Sequence, residues 1–152
     1  MKKKKVINQK VRNATVIAYQ GITFKSKLEL YCYKKLKELN IPFTYEEVTF
    51  ELLPSFEFKN DSYELFKKNG VRYFGPQRSH IRNMSYTPDF VGKRWIIETK
   101  GNPNESFPLK WKLFKKHIAD NKLNLDLYMP RNQKQIDEVI QIIINKHENQ
   151  RR

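Results

Sequence analysis

The chain has little cysteine, little glycine or proline and no long apolar run, and each shortage excludes a class of protein. Its 152 residues include one cysteine, Cys32, which excludes an internal disulfide and a multi-cysteine zinc site. Five glycines and seven prolines are too few for a low-complexity chain. The most apolar stretch, residues 139–144, is far shorter than the ~18 residues that span a bilayer. We therefore expect no membrane partner and a cytoplasmic location.

Acidic residues are also scarce relative to basic ones. The chain has 30 Lys and Arg against 16 Asp and Glu, a net charge of +14. Such a charge suits a polyanion, and nucleic-acid phosphates are the commonest one. Residues 1–27 hold eight basic side chains and no acidic one, so we divide the chain into a basic arm (1–22) and a domain (23–152). Ribosome-associated proteins, chromatin binders and nucleases share this charge, and Lys2 to Lys5 can equally be a solubilising tail.

Hydrophobic periodicity predicts strands that alternate with helices, which is typical of an α/β fold. The predicted strands are 15–19, 43–53, 86–91, 94–100 and 123–129, and the predicted helices are 26–39, 108–120 and 132–147. The expected buried stripes of the three helices are Leu28, Cys32, Leu36 and Leu39; then Leu109, Leu113 and Ile118; then Ile136, Val139 or Ile140, Ile143 and Ile144.

Residues 55–85 interrupt this pattern with six aromatic and six basic side chains. Aromatic rings interleaved with cations can stack on splayed bases and hold phosphates. The alternative is a packed subelement such as a helical turn plus a hairpin. Because a long structureless loop is uncommon in a small domain, we favour the packed subelement.

Two short segments carry the side chains best suited to catalysis. Glu98 and Lys100 are two apart in a predicted strand and therefore share a face. Asp89 lies on the neighbouring arm of the same predicted hairpin, so the three groups can converge. Two carboxylates suit Mg²⁺, and a lysine can orient water or stabilise phosphoryl charge. This set predicts metal-dependent phosphodiester hydrolysis, and the alternative is an incidental surface ion cluster.

Glu29 is a further candidate, on the border of the apolar sector of the first predicted helix. A carboxylate at that border can lie at the edge of a packed face and point into a cleft. The alternative is a first-turn glutamate that only complements the helix dipole.

Two motifs resemble those of the PD-(D/E)XK nuclease superfamily, namely YTPDF at residues 86–90 and WIIETKG at residues 95–101. More narrowly, the chain is similar to Holliday-junction resolvases of the phage endonuclease I type. That narrower resemblance includes FKSKLE at 24–29, IPFTYEE at 41–47 and KKH at 115–117. It implies a restriction-endonuclease-like core with a central mixed β-sheet flanked by helices.

The resemblance also implies roles for particular residues. The active site would comprise Glu29, Asp89, Glu98 and Lys100. Mg²⁺, for which Mn²⁺ would substitute, would be held by Asp89, Glu98 and the backbone carbonyl of Thr99, with Glu29 either a further ligand or a group that orients water. The candidate DNA contacts are Lys25, Lys27, Lys110, Lys112, Lys115 and Lys116; for Lys110 and Lys112 a solvated helix face is the alternative.

The resemblance further implies a homodimer that exchanges its basic N-terminal segments and cleaves four-way DNA junctions in the cytoplasm of a phage's host. The insertion at 55–85 departs from the family pattern and bears on how the chain dimerises. Three hypotheses follow: a junction-selective endonuclease, a nuclease of the same superfamily with a restriction-like, nicking or transposase-associated role, and a basic DNA-binding protein without catalysis.

Overall fold

The computed structural model describes residues 16–101 and 106–148. In chain order the elements are β1 (Ile17–Tyr19), β2 (Ile22–Phe24), α1 (Lys27–Glu38), β3 (Thr44–Tyr45), β4 (Phe50–Leu53), β5 (Phe56–Lys68), β6 (Val71–Ile81), β7 (Met84–Tyr86), β8 (Phe90–Val91), β9 (Trp95–Ile97), α2 (Phe107–Asp120), β10 (Asp126–Tyr128), α3 (Gln133–Ile143) and a π-helical turn (Ile144–Glu148).

A mixed sheet of four strands lies at the centre of the molecule, in the order β10-β9-β8-β3. β10 runs parallel to β9, whereas β8 is antiparallel to both of its neighbours. This sheet and the three α-helices confirm the prediction of a mixed α/β fold with a central sheet.

Two apolar clusters pack on opposite faces of the central sheet. Trp95 and Ile97 of β9 join a cluster with α1 and α3, while Ile96 between them joins a cluster with α2. Alternate side chains of a strand point to opposite faces, so a strand buried on both faces reads as a continuous apolar run. The sheet is therefore a middle layer between α1 and α3 on one face and α2 on the other.

The helices begin where the sequence predicts. Ser26 and Asn132 accept hydrogen bonds at the N-termini of α1 and α3 from backbone N–H groups three residues along the chain. Two stripe assignments were wrong, since Leu39 and Leu109 are 44% and 59% exposed. Leu39 is the C-terminal cap, where the helix has already ended. In α2 the aromatic residues are buried instead: Phe107, Trp111 and Phe114.

Two predicted strands are each broken in the middle. Residues 43–53 form β3 and β4, which pair with β8 and β7 respectively. The predicted strand 86–91 contains β8 and the last residue of β7. Glu46 has a φ of 52°, a left-handed conformation that ends β3. Pro88 has no N–H to donate to a ladder, so the partner strand breaks at the same level. The N–H of Glu46 still donates to the carbonyl oxygen of Asp89 at 2.9 Å.

Residues 55–85 form mainly an antiparallel hairpin of two long strands, β5 and β6. Asn69 and Gly70 make its turn with φ values of 51° and 84°, as a type I′ turn requires. The hairpin of our favoured interpretation is present, but the packing is not, because every residue of β5 is exposed or half-buried. The predicted helical turn is replaced by strand.

A second hairpin, β1–β2, lies at the start of the described chain, and Tyr19, Ile22 and Phe24 reach the core cluster of α1. It spans the predicted boundary between residues 22 and 23. Residues 1–15, including most of the basic arm and the first residue of the predicted strand 15–19, lie outside the described residues. The predicted exchange of that arm therefore also lies outside the described residues. Within the described ranges, no helix combines the length and apolarity of a bilayer crossing.

Candidate active site

The candidate site lies at one end of the central sheet, where β8 begins and β9 ends. Phe90 pairs with Ile97, and this register places Asp89 opposite Glu98 on adjacent antiparallel strands. The backbone of β9 continues as an extended segment beyond the strand, because Glu98 N–H donates to the Tyr128 carbonyl at 2.9 Å and Lys100 N–H to the Pro130 carbonyl at 3.1 Å. Both strands of the β8–β9 hairpin therefore place polar side chains at this end of the central sheet.

Asp89 is buried at this edge, with 8% of its surface exposed. Its Oδ2 accepts two hydrogen bonds of 2.7 Å, one from the backbone N–H of Thr99 and one from the Thr99 hydroxyl. Burial raises the pKa of Asp89 to about 7, and the negative charges of Glu98 and Glu29 add to that rise, while the Thr99 bonds offset part of it. Asp89 is thus held beside two other carboxylates in a poorly hydrated position.

Glu98 and Lys100 project together, as their spacing predicts. Lys100 Nζ lies 2.8 Å from Glu98 Oε1, and the Tyr86 hydroxyl donates to Glu98 Oε2 at 2.6 Å. Burial and the negative charge of Glu98 raise the pKa of Tyr86 well above its usual range. Lys100 Nζ also lies 4.4 Å from the ring centroid of Phe107 on α2. Glu98, which is 3% exposed, is therefore held by a cation and a phenol.

Glu29 reaches the same edge from the first turn of α1. Its Oε1 accepts from the Ser26 hydroxyl at 2.9 Å, and its Oε2 accepts from the Lys25 N–H at 3.0 Å and the Tyr45 hydroxyl at 2.8 Å. Glu29 therefore belongs to the helix N-terminus, as the simpler alternative holds, and also adds to the negative charge that Asp89 experiences.

The structure adds one acidic residue that sequence reasoning missed. Glu29, Glu46 and Asp89 each place one carboxylate oxygen within 4.8 Å of the others, and Glu98 does not join this group. Glu46 also pairs with Lys25, and this hydrogen bond raises the pKa of the Lys25 ammonium. Glu46 stands in the segment 41–47 that carries part of the resemblance, but its position depends on a left-handed turn that nothing in the local pattern indicates.

The oxygens of Glu29, Glu46 and Asp89 are hard ligands of the kind that Mg²⁺ and Mn²⁺ bind. This donor set fits a divalent cation, although it differs from the predicted set of Asp89, Glu98 and the Thr99 carbonyl. The structure shows a different contact for Thr99, whose N–H and hydroxyl orient Asp89, and the role of its carbonyl stays a prediction.

The lysines predicted to contact DNA differ in their surroundings, and their role in DNA binding stays a prediction. Lys25 pairs with Glu46, Lys116 pairs with Asp120 at 2.7 Å, Lys27 is exposed on α1 and Lys110 is half-buried. Lys112 and Lys115 line an apolar groove of about 340 Å³, with Phe107, Pro108, Trp111, Met129 and Arg131. This groove adjoins the site through Phe107, the ring that Lys100 contacts.

The family model described as "Protein of unknown function (DUF1064)" matches residues 9–134. The chain belongs to the DUF1064 family. The matched range includes every residue of the site described above. No curated protein and no solved structure matches this DUF1064 chain.

Proposed function

We propose that this DUF1064 protein is a divalent-metal-dependent endonuclease that hydrolyses phosphodiester bonds of DNA. The observation that carries the proposal is the position of Asp89, which is buried and lies close to the carboxylates of Glu98, Glu29 and Glu46. Lys100 completes the set through its 2.8 Å contact with Glu98.

The charge balance of the site supports a cation. Four carboxylates, on Glu29, Glu46, Asp89 and Glu98, meet two ammonium groups, on Lys25 and Lys100. Burial is the main cause of the raised pKa of Asp89, and the negative charges of Glu98 and Glu29 add to it. A divalent cation would offset two of these negative charges and favour the ionised form of Asp89.

Each residue then has a role that its contacts support. Asp89 would hold the metal, with Glu29 and Glu46 or with Glu98 as its partners. When bound, Mg²⁺ would lower the pKa of a coordinated water and offset negative charge on a phosphate. Thr99 fixes the orientation of Asp89, and Tyr86 fixes that of Glu98. Lys100, whose side chain is 29% exposed, can orient the attacking water or stabilise charge on the phosphoryl oxygens. The expected products carry a 5′-phosphate and a 3′-hydroxyl.

Branched DNA is the substrate that we propose, with a homodimer acting on the two arms of a four-way junction. Support comes from the resemblance to phage endonuclease I type resolvases and from the net charge of +14. The groove lined by Lys112, Lys115 and Arg131 offers cations beside Lys100. The wider alternative is another PD-(D/E)XK nuclease with a restriction-like, nicking or transposase-associated role.

A second candidate is a basic DNA-binding protein without catalysis. The contact between Glu98 and Lys100 favours it, because a close ion pair can be a purely structural feature. Glu98→Gln separates the two, since a nuclease loses cleavage and keeps its affinity for DNA.

The test is a cleavage assay on equal amounts of an immobile four-way junction and a linear duplex, with Mg²⁺ or with EDTA. We expect paired nicks in the junction that require Mg²⁺ and that Glu98→Gln abolishes. Glu138→Gln is the matched control, since Glu138 is an exposed glutamate on α3. Equal cutting of both DNAs would remove the junction preference, products ending in 3′-phosphate would contradict the mechanism, and binding without cleavage would favour the second candidate.

A further inference from the structure

The β5–β6 hairpin is the least buried part of the described chain. Its strands have 13 and 11 residues and form a two-stranded sheet of their own. At ~3.4 Å per residue such a hairpin extends about 40 Å. A hairpin of two strands is only marginally stable in water unless something packs on it. We call this element the ribbon, and its exposed apolar side chains need a physical explanation.

The two faces of the ribbon differ in exposure. Tyr63, Leu65 and Lys67 pair with Pro76, Phe74 and Arg72, so these six residues share one face, which we call the outer face. All six are exposed, and Tyr63, Leu65 and Phe74 have 65%, 65% and 73% of their surfaces in solvent. The opposite face is partly covered. Four of its residues are half-buried, namely Ser62, Phe66, Gly75 and Gln77, and four are exposed, namely Glu64, Lys68, Val71 and Tyr73.

The charges of the outer face point to an anionic partner. Lys67 and Arg72 lie opposite each other near the turn, and none of the six residues of this face is acidic. Glu64 lies on the opposite face, where it accepts a hydrogen bond from Ser62. The outer face therefore presents a pair of cations near the turn and, farther from the turn, two aromatic rings, a leucine and a proline. Nucleic acid offers the complement, because its bases are planar and apolar and its backbone is anionic.

A second copy of the chain is a poorer fit to this face. In a two-fold interface the same patch meets itself, so two outer faces would bring four cations together without a carboxylate. The area is also small. Three residue pairs on strands ~4.8 Å apart cover on the order of 200–300 Å², against roughly 800 Å² per partner in a stable dimer.

We propose that the outer face of the ribbon is a DNA-binding surface, in which Tyr63, Leu65 and Phe74 contact bases and Lys67 and Arg72 contact phosphates. The major groove admits a two-stranded ribbon, and apolar side chains can insert where base pairs are unstacked, as at a branch point. This inference rests on the DNA-binding part of the proposed function and is independent of hydrolysis.

The first test is fluorescence anisotropy in EDTA, with a fluorescein-labelled four-way junction and a linear duplex of matched length. We expect the double variant Leu65→Ser with Phe74→Ser to weaken junction binding about tenfold. The matched control is Val71→Ser, because Val71 is also exposed on β6 but lies on the opposite face. The control should bind within twofold of the wild-type chain.

A second variant tests the cations. Replacing Lys67 and Arg72 by serine removes two phosphate contacts, so the slope of log Kd against log salt should fall in magnitude by about two. Lys68→Ser, on the opposite face, should change the slope less than either single replacement on the outer face. Circular dichroism should show unchanged thermal unfolding for all variants, because the described packing of the core clusters does not include these residues.

The possible outcomes lead to different conclusions. Affinities within twofold of wild type for both double variants would overturn the ribbon inference, and junction cleavage by those variants would leave the proposed function standing. Light scattering would show whether the outer face binds a second copy instead. That conclusion would follow if the wild-type chain were a dimer, the Leu65→Ser, Phe74→Ser variant a monomer, and the affinity of each subunit for DNA unchanged. Ribbon-dependent DNA binding without any Mg²⁺-dependent cleavage would support the ribbon inference and contradict hydrolysis.

Discussion

The end of the central sheet and the ribbon differ in the kind of side chain that they bury and the kind that they expose. Around Asp89 the side chains are charged but buried, and each of Asp89, Glu98 and Glu29 accepts hydrogen bonds from defined donors. On the outer face of the ribbon the side chains are apolar but exposed. Both arrangements are costly in the isolated chain, since buried charge and exposed apolar surface each raise its free energy. These two costs are the reason why we propose a cation as the partner of the first region and DNA as the partner of the second.

The largest expected effect concerns Lys100. Lys100→Met removes the ammonium group beside Glu98, and we expect cleavage to fall by a factor of about 100 or more. DNA binding should stay within threefold, because the reacting phosphate is the one DNA group that we propose Lys100 to contact. Lys93→Met is the control, since Lys93 is an exposed lysine of the same β8–β9 hairpin. Equal loss in both variants would assign the effect to general charge and would remove Lys100 from the active site.

The next effect concerns the turn that aligns the two arms of the site. A Cβ on Gly92 would lie 2.1 Å from Cε2 of Trp95, which is buried in the core. Gly92→Ala should therefore lower the free energy of unfolding by about 2–3 kcal/mol, because the indole must move. At Gly101 no contact within 4 Å of an added Cβ is found among the described residues, so Gly101→Ala should be near neutral. Urea unfolding of both variants checks this, and a neutral Gly92→Ala would show that the hairpin is not tightly packed.

A third prediction uses the raised pKa of Asp89. Its pKa of about 7 lies above the ordinary value of 3.8, so the folded protein bears a cost at pH 8 that is relieved as the pH falls below about 7. Without metal, Asp89→Asn should raise the free energy of unfolding by about 1–3 kcal/mol at pH 8. The gain should shrink by pH 5.5, where Asp89 is protonated. Thermal unfolding at both pH values is the measurement, and a gain that grew at low pH would contradict the burial argument.

The smallest effect belongs to the ribbon. Gly70 has a φ of 84°, which an alanine adopts only with strain of about 1 kcal/mol. Gly70→Ala should therefore loosen the ribbon and speed hydrogen exchange in β5 and β6 while leaving the Tm of the core unchanged. A lowered Tm would show that the ribbon and the core unfold together. It would contradict the view that the ribbon is independent of the core.

The features that nearby residues specify could be predicted from the sequence. Ser26 and Asn132 cap α1 and α3 through bonds three residues away, so their positions can be read along the chain. Asp89, Glu98 and Lys100 lie on one short hairpin, and their convergence follows from strand alternation and register. The convergence of these three side chains was accordingly predicted, and their catalytic role stays a prediction.

Features that depend on tertiary structure escaped prediction. Glu46 joins the site only because the chain turns left-handed there and meets Asp89 across a broken ladder. Leu109 was expected in the core, but the aromatic residues of α2 fill that space instead. Residues 55–85 did carry a readable signal, the Asn69–Gly70 pair that is typical of a type I′ hairpin turn, but their exposure could not be read from any local pattern.

Divalent-metal binding by the carboxylates around Asp89 is the property on which the proposed hydrolysis depends most. The most direct measurement is a titration of the purified protein with Mn²⁺, in which electron paramagnetic resonance reports the free ion. We predict saturable binding to the wild-type chain, at least tenfold weaker binding to Asp89→Asn, and unchanged binding to Glu138→Gln. Wild-type protein that binds no Mn²⁺, or Asp89→Asn protein that binds it equally well, would contradict a metal-dependent active site at this end of the sheet.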